Sequence, residues 1–573
     1  MGGTALGNQV ERESRAFLDR TVPEVARLSE GISEAYWRAS TGGGEPAEQE
    51  YARLRQELMG LFADRNQFAQ LKAWRSSGQV QDPLLARQLD LLYNEYLGNQ
   101  IPPETIAELV RRETELESIF TNFRAEYRSR RVSDNEIKDV LQQENDSDLR
   151  RQAWEASKQI GREVAPKLLE LVGLRNQVAR DLGFRDYYAM ALSLQEIDED
   201  DLFAILDRLE ERTAGPFAAA KGRLDRQSAE RFGVAVEALR PWHLADPFFQ
   251  DPPAAPDMDL DRFFRGKDVR DLARAFYGGL GLETDDILAR SDLFEREGKN
   301  QHAYCMDLDR EGDVRILANL KDNEQWASTL LHELGHGVYD KYHDPDLPYL
   351  LRTAAHISST ESIAMLMGAL TKSARWLETY AGAEPSEAQS IEARVREYLT
   401  LAMLVFVRWG LVMVYFERAM YRNPGQDLSR LWWDLVERLQ LVRRPDGRDE
   451  PDYAAKIHLG TAPVYYQNYI LGELTAAQVR ATLAREAAPA GGSGGTPGDG
   501  AAAGLDANPA NVLIDNPRAG RFLVERIFRL GARYPWNEML RQATGEHLNP
   551  DHFVSQFVGA VRSGSGTAAE GQV

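Results

Sequence analysis

Cysteine is almost missing from this chain: 573 residues contain one, Cys305. A single thiol excludes an intrachain disulfide framework and fits a reducing compartment. Basic charge is short as well. Lys and Arg number 68 against 89 Asp and Glu, a formal net charge of −21. With no dense Lys/Arg run, neither nucleic acid nor an anionic membrane is an expected partner. The most apolar window, residues 399–416 (LTLAMLVFVRWGLVMVYF), is interrupted by Arg408 and Trp409. It reads as a buried core helix rather than a membrane span. The N-terminal stretch has no basic start followed by an apolar run, so no signal peptide is expected. Leu6 stands where a myristoylation signal needs Ser or Thr. The expected location is the cytoplasm.

What the chain has is helix. Hydrophobic residues make up 43%, ample for a large core, and the expected fold is mostly α. Residues 104–131 place Ile106, Leu109, Val110, Leu116, Ile119 and Phe120 at helical spacing between charges. Residues 361–380 and 428–442 follow the same pattern. The best strand signal is residues 302–319, two short β-prone runs around Asp309-Arg310-Glu311-Gly312-Asp313, which predict a hairpin. Residues 246–257 read as an irregular crossing. Residues 487–509, rich in Gly, Ala and Pro, read as a flexible loop inserted into the same body, and 562–573 as a mobile tail. No fixed-period repeat occurs, so a solenoid is not expected.

Histidine is scarce, with 9 in the whole chain, yet residues 332–336 read HELGH. On a helix, His332 and His336 share one face, one turn apart, as two imidazoles binding one zinc require. Glu333 is rotated about 100° from His332, toward a metal-bound water rather than the metal. Two surface histidines on an amphipathic helix is the plainer reading, and the motif's rarity disfavours it. A catalytic zinc needs a third protein ligand. The longer HExxHxxGxxH pattern fails, because Tyr339 and Tyr342 occupy its Gly and third His positions. Downstream candidates are Asp340, His343, His356 and Glu361. Asp340 suits orienting an imidazole better than binding metal. Glu361, in the first turn of a second helix, is the favoured ligand and His356 the runner-up. The competing role for Glu361 is a capping box with Ser358. Cys305 and the histidines at 243, 547 and 552 receive no role, while His302 is a weaker candidate for lining a cleft. A His₂Glu set suits one zinc per chain.

HExxH followed by Glu361, 25 residues after the second His, resembles the gluzincin peptidases of the thimet oligopeptidase and oligoendopeptidase F type. More distantly it resembles angiotensin-converting enzyme. The segments GKNQHAYCMDLD and ILANLKDNEQWASTLLHELGHGVYD are similar to the edge strand and active-site helix of those enzymes, and KIHLGTAPVYYQNYILGEL (residues 456–474) is similar to their substrate-contact segment. The resemblance covers residues 298–475 best. It implies two interleaved helical lobes around a deep channel within one catalytic unit spanning 1–573, with a small β-hairpin beside the HExxH helix. It also implies that His458 and a tyrosine contact the scissile carbonyl. Tyr466 and Tyr469 have the family's three-residue separation, Tyr469 being the better oxyanion donor, and Tyr465 stays open. Lys456 matches the lysine that angiotensin-converting enzyme uses for a substrate's terminal carboxylate. The expected activity is hydrolysis of short unfolded oligopeptides, with Glu333 as general base. The alternatives are a carboxypeptidase or peptidyl-dipeptidase anchored through Lys456, and a non-catalytic, zinc-bearing peptide binder. An aminopeptidase is disfavoured, because no GxMEN-like motif for a free N-terminus occurs.

Overall fold

The structure, a computed structural model, describes residues 3–253, 259–487 and 509–563. Apart from their outermost residues, the expected loop at 487–509 and tail at 562–573 lie outside the described residues, as do residues 254–258 of the expected irregular stretch. The fold is mostly α, with two two-stranded sheets among the described residues. The chain divides into two compact units of three segments each. The first comprises Met1–Gln100, Met258–Val395 and Gly472–Asn549, the second Ile101–Asp257, Arg396–Leu471 and Pro550–Val573. The stretch 298–475 is thus divided between them.

In the first unit, the helix Gly3–Arg38 turns back onto Gly44–Phe62. Phe17, Leu18, Val25, Phe62, Trp74 and Leu89 form a core there. The HExxH residues lie in the helix Glu324–Lys341, whose cap, Asn323, accepts from the Trp326 N–H. Leu330, Leu331, Leu334 and Val338 are fully buried. This helix crosses Ile357–Gly368 at short range because glycine occupies the crossing. A Cβ on Gly335 would fall 2.7 Å from the Ala364 Cα, and one on Gly368 would fall 3.1 Å from the Ser328 carbonyl oxygen. The expected hairpin is present as Tyr304–Asp307 paired antiparallel with Val314–Leu317, Cys305 opposite Ile316. Residues 361–380 do not make one helix. Gly368 ends the first and Ser373 caps a new one, Ala374–Thr379, by accepting from the Trp376 N–H.

In the second unit, the helix expected over 104–131 stops at Asn122. Phe123 is extended, and a second hairpin follows, Ala125–Tyr127 with Arg130–Val132. Arg128 and Ser129 both have positive φ, as the tightest hairpin turn requires. Ala125, Tyr127 and Val132 are buried, so a period of two overrides the preceding helical charge pattern. Among the described residues one helix, Pro385–Arg422, is long and apolar enough to cross a membrane. Its Leu404, Val407, Trp409, Leu411, Met413 and Phe416 are nevertheless buried in protein. Arg408 donates to the Glu210 carbonyl and the Thr213 hydroxyl, which offsets the cost of burying its charge.

Candidate metal centre and substrate contacts

The two histidines meet as their spacing requires, with ring centroids 4.9 Å apart. Glu361 closes on both, its Oε2 lying 3.7 Å from His332 Nε2 and 3.9 Å from His336 Nε2. Ligands at about 2.1 Å around a tetrahedral ion are about 3.4 Å apart, so Glu361 needs only a small contraction toward each imidazole, and all three ligand atoms already lie within 4.8 Å of one another. Among the described residues, no other group of three His, Cys, Asp or Glu side chains converges in this way. Burial holds the His332 imidazole down at about 4, against a hydrogen bond to the Ala364 backbone. Burial and the neighbouring His332 hold His336 down at about 3. Both rings are therefore neutral and ready to donate a lone pair at neutral pH, and this donor set fits zinc.

Glu361 does not form the capping box. The helix Ile357–Gly368 is capped by His356, whose Nδ1 accepts from the Ser358 N–H. Glu361 is therefore the fifth residue of the helix, not part of its first turn. Its carboxylate is left for the imidazoles, and His356, committed to the cap, is not brought to the metal site. Burial raises the Glu361 carboxyl. Glu333 is 8% exposed and no part of the three-atom cluster. Burial, then the charge of Glu361, pushes its carboxyl up to about 8, while the Cys305 N–H of the hairpin strand opposes the shift.

The outer partners differ from expectation. Asp340 does not orient an imidazole. Thr360 does, its hydroxyl oxygen lying 2.7 Å from His336 Nδ1. That contact fixes the ring so that Nε2 faces the metal position. Thr360→Val is expected to weaken zinc binding about 10–100-fold, with Thr360→Ser near wild type, in a chelator competition titration. Burial and the Asp307 carboxylate push Asp340 up to about 8 from 3.8. A raised carboxyl favours the folded state at low pH and destabilises it as pH climbs from 3.8 through about 8. The melting temperature of Asp340→Asn, compared with wild type, should therefore match near pH 4 and exceed it increasingly toward pH 8. His343 is also elsewhere. Both its ring nitrogens are buried without a hydrogen-bond partner, and its ring lies 5.5 Å from Tyr339.

The candidates for contacting substrate, Lys456, His458, Tyr465, Tyr466 and Tyr469, lie in the second unit and cluster there, while His302 lies in the first. His458 begins the short helix His458–Thr461, and its Nδ1 is buried without a partner. Burial, then the Lys456 charge, holds it at about 4. Its ring lies 5.1 Å from Tyr466, which in turn lies 5.4 Å from Tyr469; Tyr465 lies 5.2 Å from Tyr469. The Tyr466 hydroxyl accepts from Trp409 Nε1. Lys456 Nζ donates to Gln250 and lies 5.2 Å from the Trp409 ring and 5.7 Å from that of Tyr466. Sequence reading missed Gln250 and Thr360. Gln250 lies 206 residues from its lysine, and no motif marks it.

The loop presenting the tyrosines is strained. Val464, a β-branched residue, has φ of +54°, an outlier for its type. Its N–H is held by the buried Glu417, and its carbonyl accepts from Gln195 and Gln467. Such strain, held by surrounding side chains, is characteristic of functional loops.

Comparison with known proteins orders the two resemblances. The profile of the family described as angiotensin-converting enzyme matches residues 8–214 and 246–557. Angiotensin-converting enzyme of Haematobia irritans exigua is 23% identical over 319 residues, 53% of this chain and 47% of that protein. The angiotensin-converting enzyme-related protein of Drosophila melanogaster is 23% identical over 316 residues, 52% and 45% of the two chains. Angiotensin-converting enzyme of Rattus norvegicus is 22% identical over 425 residues, 69% and 31%. The chain spans about half the length of the first of these curated relatives. The nearer placement with thimet oligopeptidase and oligoendopeptidase F is thereby corrected: HExxH with a distant Glu is common to both groups and does not separate them. The chain belongs to the angiotensin-converting enzyme family, a family of zinc metallopeptidases.

Proposed function

We propose that this chain is a zinc-dependent peptidase that removes dipeptides from the C-termini of short, unfolded oligopeptides. One observation carries the chemistry: the Glu361 carboxylate lies within 3.9 Å of both imidazole Nε2 atoms, the three ligand atoms falling within 4.8 Å of one another, beside a buried Glu333 that is not a ligand. Release from the C-terminal end, rather than internal cleavage, is supported by family membership and by Lys456 among Gln250, Trp409 and Tyr466. The single cysteine supports a reducing, cytoplasmic setting as part of the same proposal.

Zinc held by His332, His336 and Glu361 would supply a water molecule acidic enough to give hydroxide near neutral pH. Glu333 takes the proton of the attacking water and delivers it to the nitrogen of the breaking C–N bond. His458 and Tyr469 have the roles the family resemblance gives them, donating hydrogen bonds to the carbonyl oxygen as it gains negative charge. Tyr466 and Lys456, with Gln250, receive the substrate's terminal carboxylate through charge-assisted hydrogen bonds.

The test uses one defined oligopeptide made as the free acid and as the C-terminal amide, with products read by mass spectrometry. The proposal expects sequential loss of dipeptides from the free acid and much slower cleavage of the amide. Equal cleavage of both at internal bonds would instead establish an oligoendopeptidase.

A further inference from the structure

The second unit contains a buried lysine that the chemistry above does not use. Lys158 ends the helix Ser147–Lys158 and is 4% exposed. Its Nζ lies 3.2 Å from the centroid of the Phe248 ring and 5.3 Å from that of Trp154. It makes no ion pair among the described residues. The nearby Asp452 carboxylate is already bound by Arg448 through two contacts of 2.7 Å and by Trp433 Nε1. A void of about 20 Å³ beside it, bounded by Trp154, Phe248, Trp433 and Asp452 among others, leaves no room for a solvation shell. Burial pushes the ammonium down to about 7, so its charge rests chiefly on the aromatic faces and on neighbouring charges.

Phe248 links this lysine to the substrate lysine. Lys456 Nζ lies 5.6 Å from the same ring. Phe248 shares a turn with Gln250, the side chain that accepts from Lys456. The turn is built on the buried Asp246, whose carboxylate accepts from the N–H groups of Phe248, Gln250 and Asp251. Gln440 donates to the carbonyls of Phe248 and Phe249, and Phe249 has φ of +55°. The backbone of the turn is thus fixed by Asp246 and Gln440, and the Phe248 ring is held between Trp409, 5.4 Å away, Trp432, 6.2 Å away, and the Lys158 ammonium.

We infer that Lys158 is a specificity-determining positioning residue for an anionic substrate terminus. It fixes the Phe248 ring against which Lys456 rests, and it adds a second positive charge to the surroundings of the carboxylate that Lys456 receives. In a medium of low polarity that second charge acts over a longer range than it would in water. The inference rests on the proposed role of Lys456.

The experiment measures kcat and KM for one peptide as free acid and as C-terminal amide, with wild type, Lys456→Met, Lys158→Met and Lys158→Arg. Lys456→Met tests the parent reading and should abolish the preference for the acid. If that preference persists, the terminal-carboxylate reading fails and the role of Lys158 fails with it. If it disappears, Lys158→Met should raise KM for the acid roughly 3–30-fold, with kcat and the amide KM unchanged, and Lys158→Arg should keep most of the preference. Equal losses on acid and amide, or no change on either, would overturn the inference. Should Lys158→Met not fold, Phe248→Leu removes the ring that both lysines contact and has the same expected result.

Discussion

Glu333→Gln is expected to lower kcat about 10²–10⁴-fold while the protein still holds one zinc. The substitution keeps the size of a side chain that is 8% exposed, so no cavity opens and the helix Glu324–Lys341 keeps its packing. It removes only the capacity to carry a proton. Zinc stays because the three converging ligand atoms belong to His332, His336 and Glu361. Turnover of a defined peptide and zinc content, measured on the same preparation, check the prediction. A kcat within tenfold of wild type would assign the proton transfer to another group.

Glu361→Ala separates two readings of one residue. As a metal ligand, its loss should weaken zinc binding by more than the 10–100-fold typical of losing an outer partner, and activity at ordinary zinc concentrations should vanish. As a helix cap, its loss would cost about 1 kcal/mol of stability and leave zinc in place. The geometry favours the first result: His356 is the cap, and Glu361 Oε2 faces two imidazole nitrogens. Zinc titration and thermal unfolding of the same variant distinguish the two outcomes.

The metal centre was legible in the sequence because its parts obey local rules. The spacing of His332, Glu333 and His336 follows from one helical turn, and Glu361 was favoured over His356 by its place near the start of a second amphipathic helix. The Ser358-x-x-Glu361 pattern misled because a capping box is defined by spacing alone, while the helix start is set by His356 two residues earlier. The overlong helix at 104–131 failed for a related reason. Charges between apolar residues continue past Asn122, but Ala125, Tyr127 and Val132 bury themselves with a period of two.

Contacts between residues distant in sequence were not legible. Thr360 is an ordinary helical residue until His336 is packed beside it, and Gln250 is an ordinary polar residue until the Asp246 turn presents it to Lys456. The glycines at the helix crossing belong to the same class. Gly335 sits inside the HExxH motif as one of its unspecified positions, yet a Cβ there would fall 2.7 Å from the Ala364 Cα, so the Glu361 helix reaches the histidines only because that side chain is absent. The order of the two family resemblances was misjudged because the zinc motif is common to both. Lys456 was the residue that pointed to the angiotensin-converting enzyme family.

One measurement tests the central claim most directly. A defined free-acid oligopeptide is incubated with protein of known zinc content, and the products are read by mass spectrometry beside a chelator-treated sample restored with one equivalent of zinc. The expected result is release of C-terminal dipeptides that stops on chelation and returns with zinc. Protein that binds one equivalent of zinc and leaves every peptide intact would contradict it, and would identify a zinc-bearing peptide binder instead.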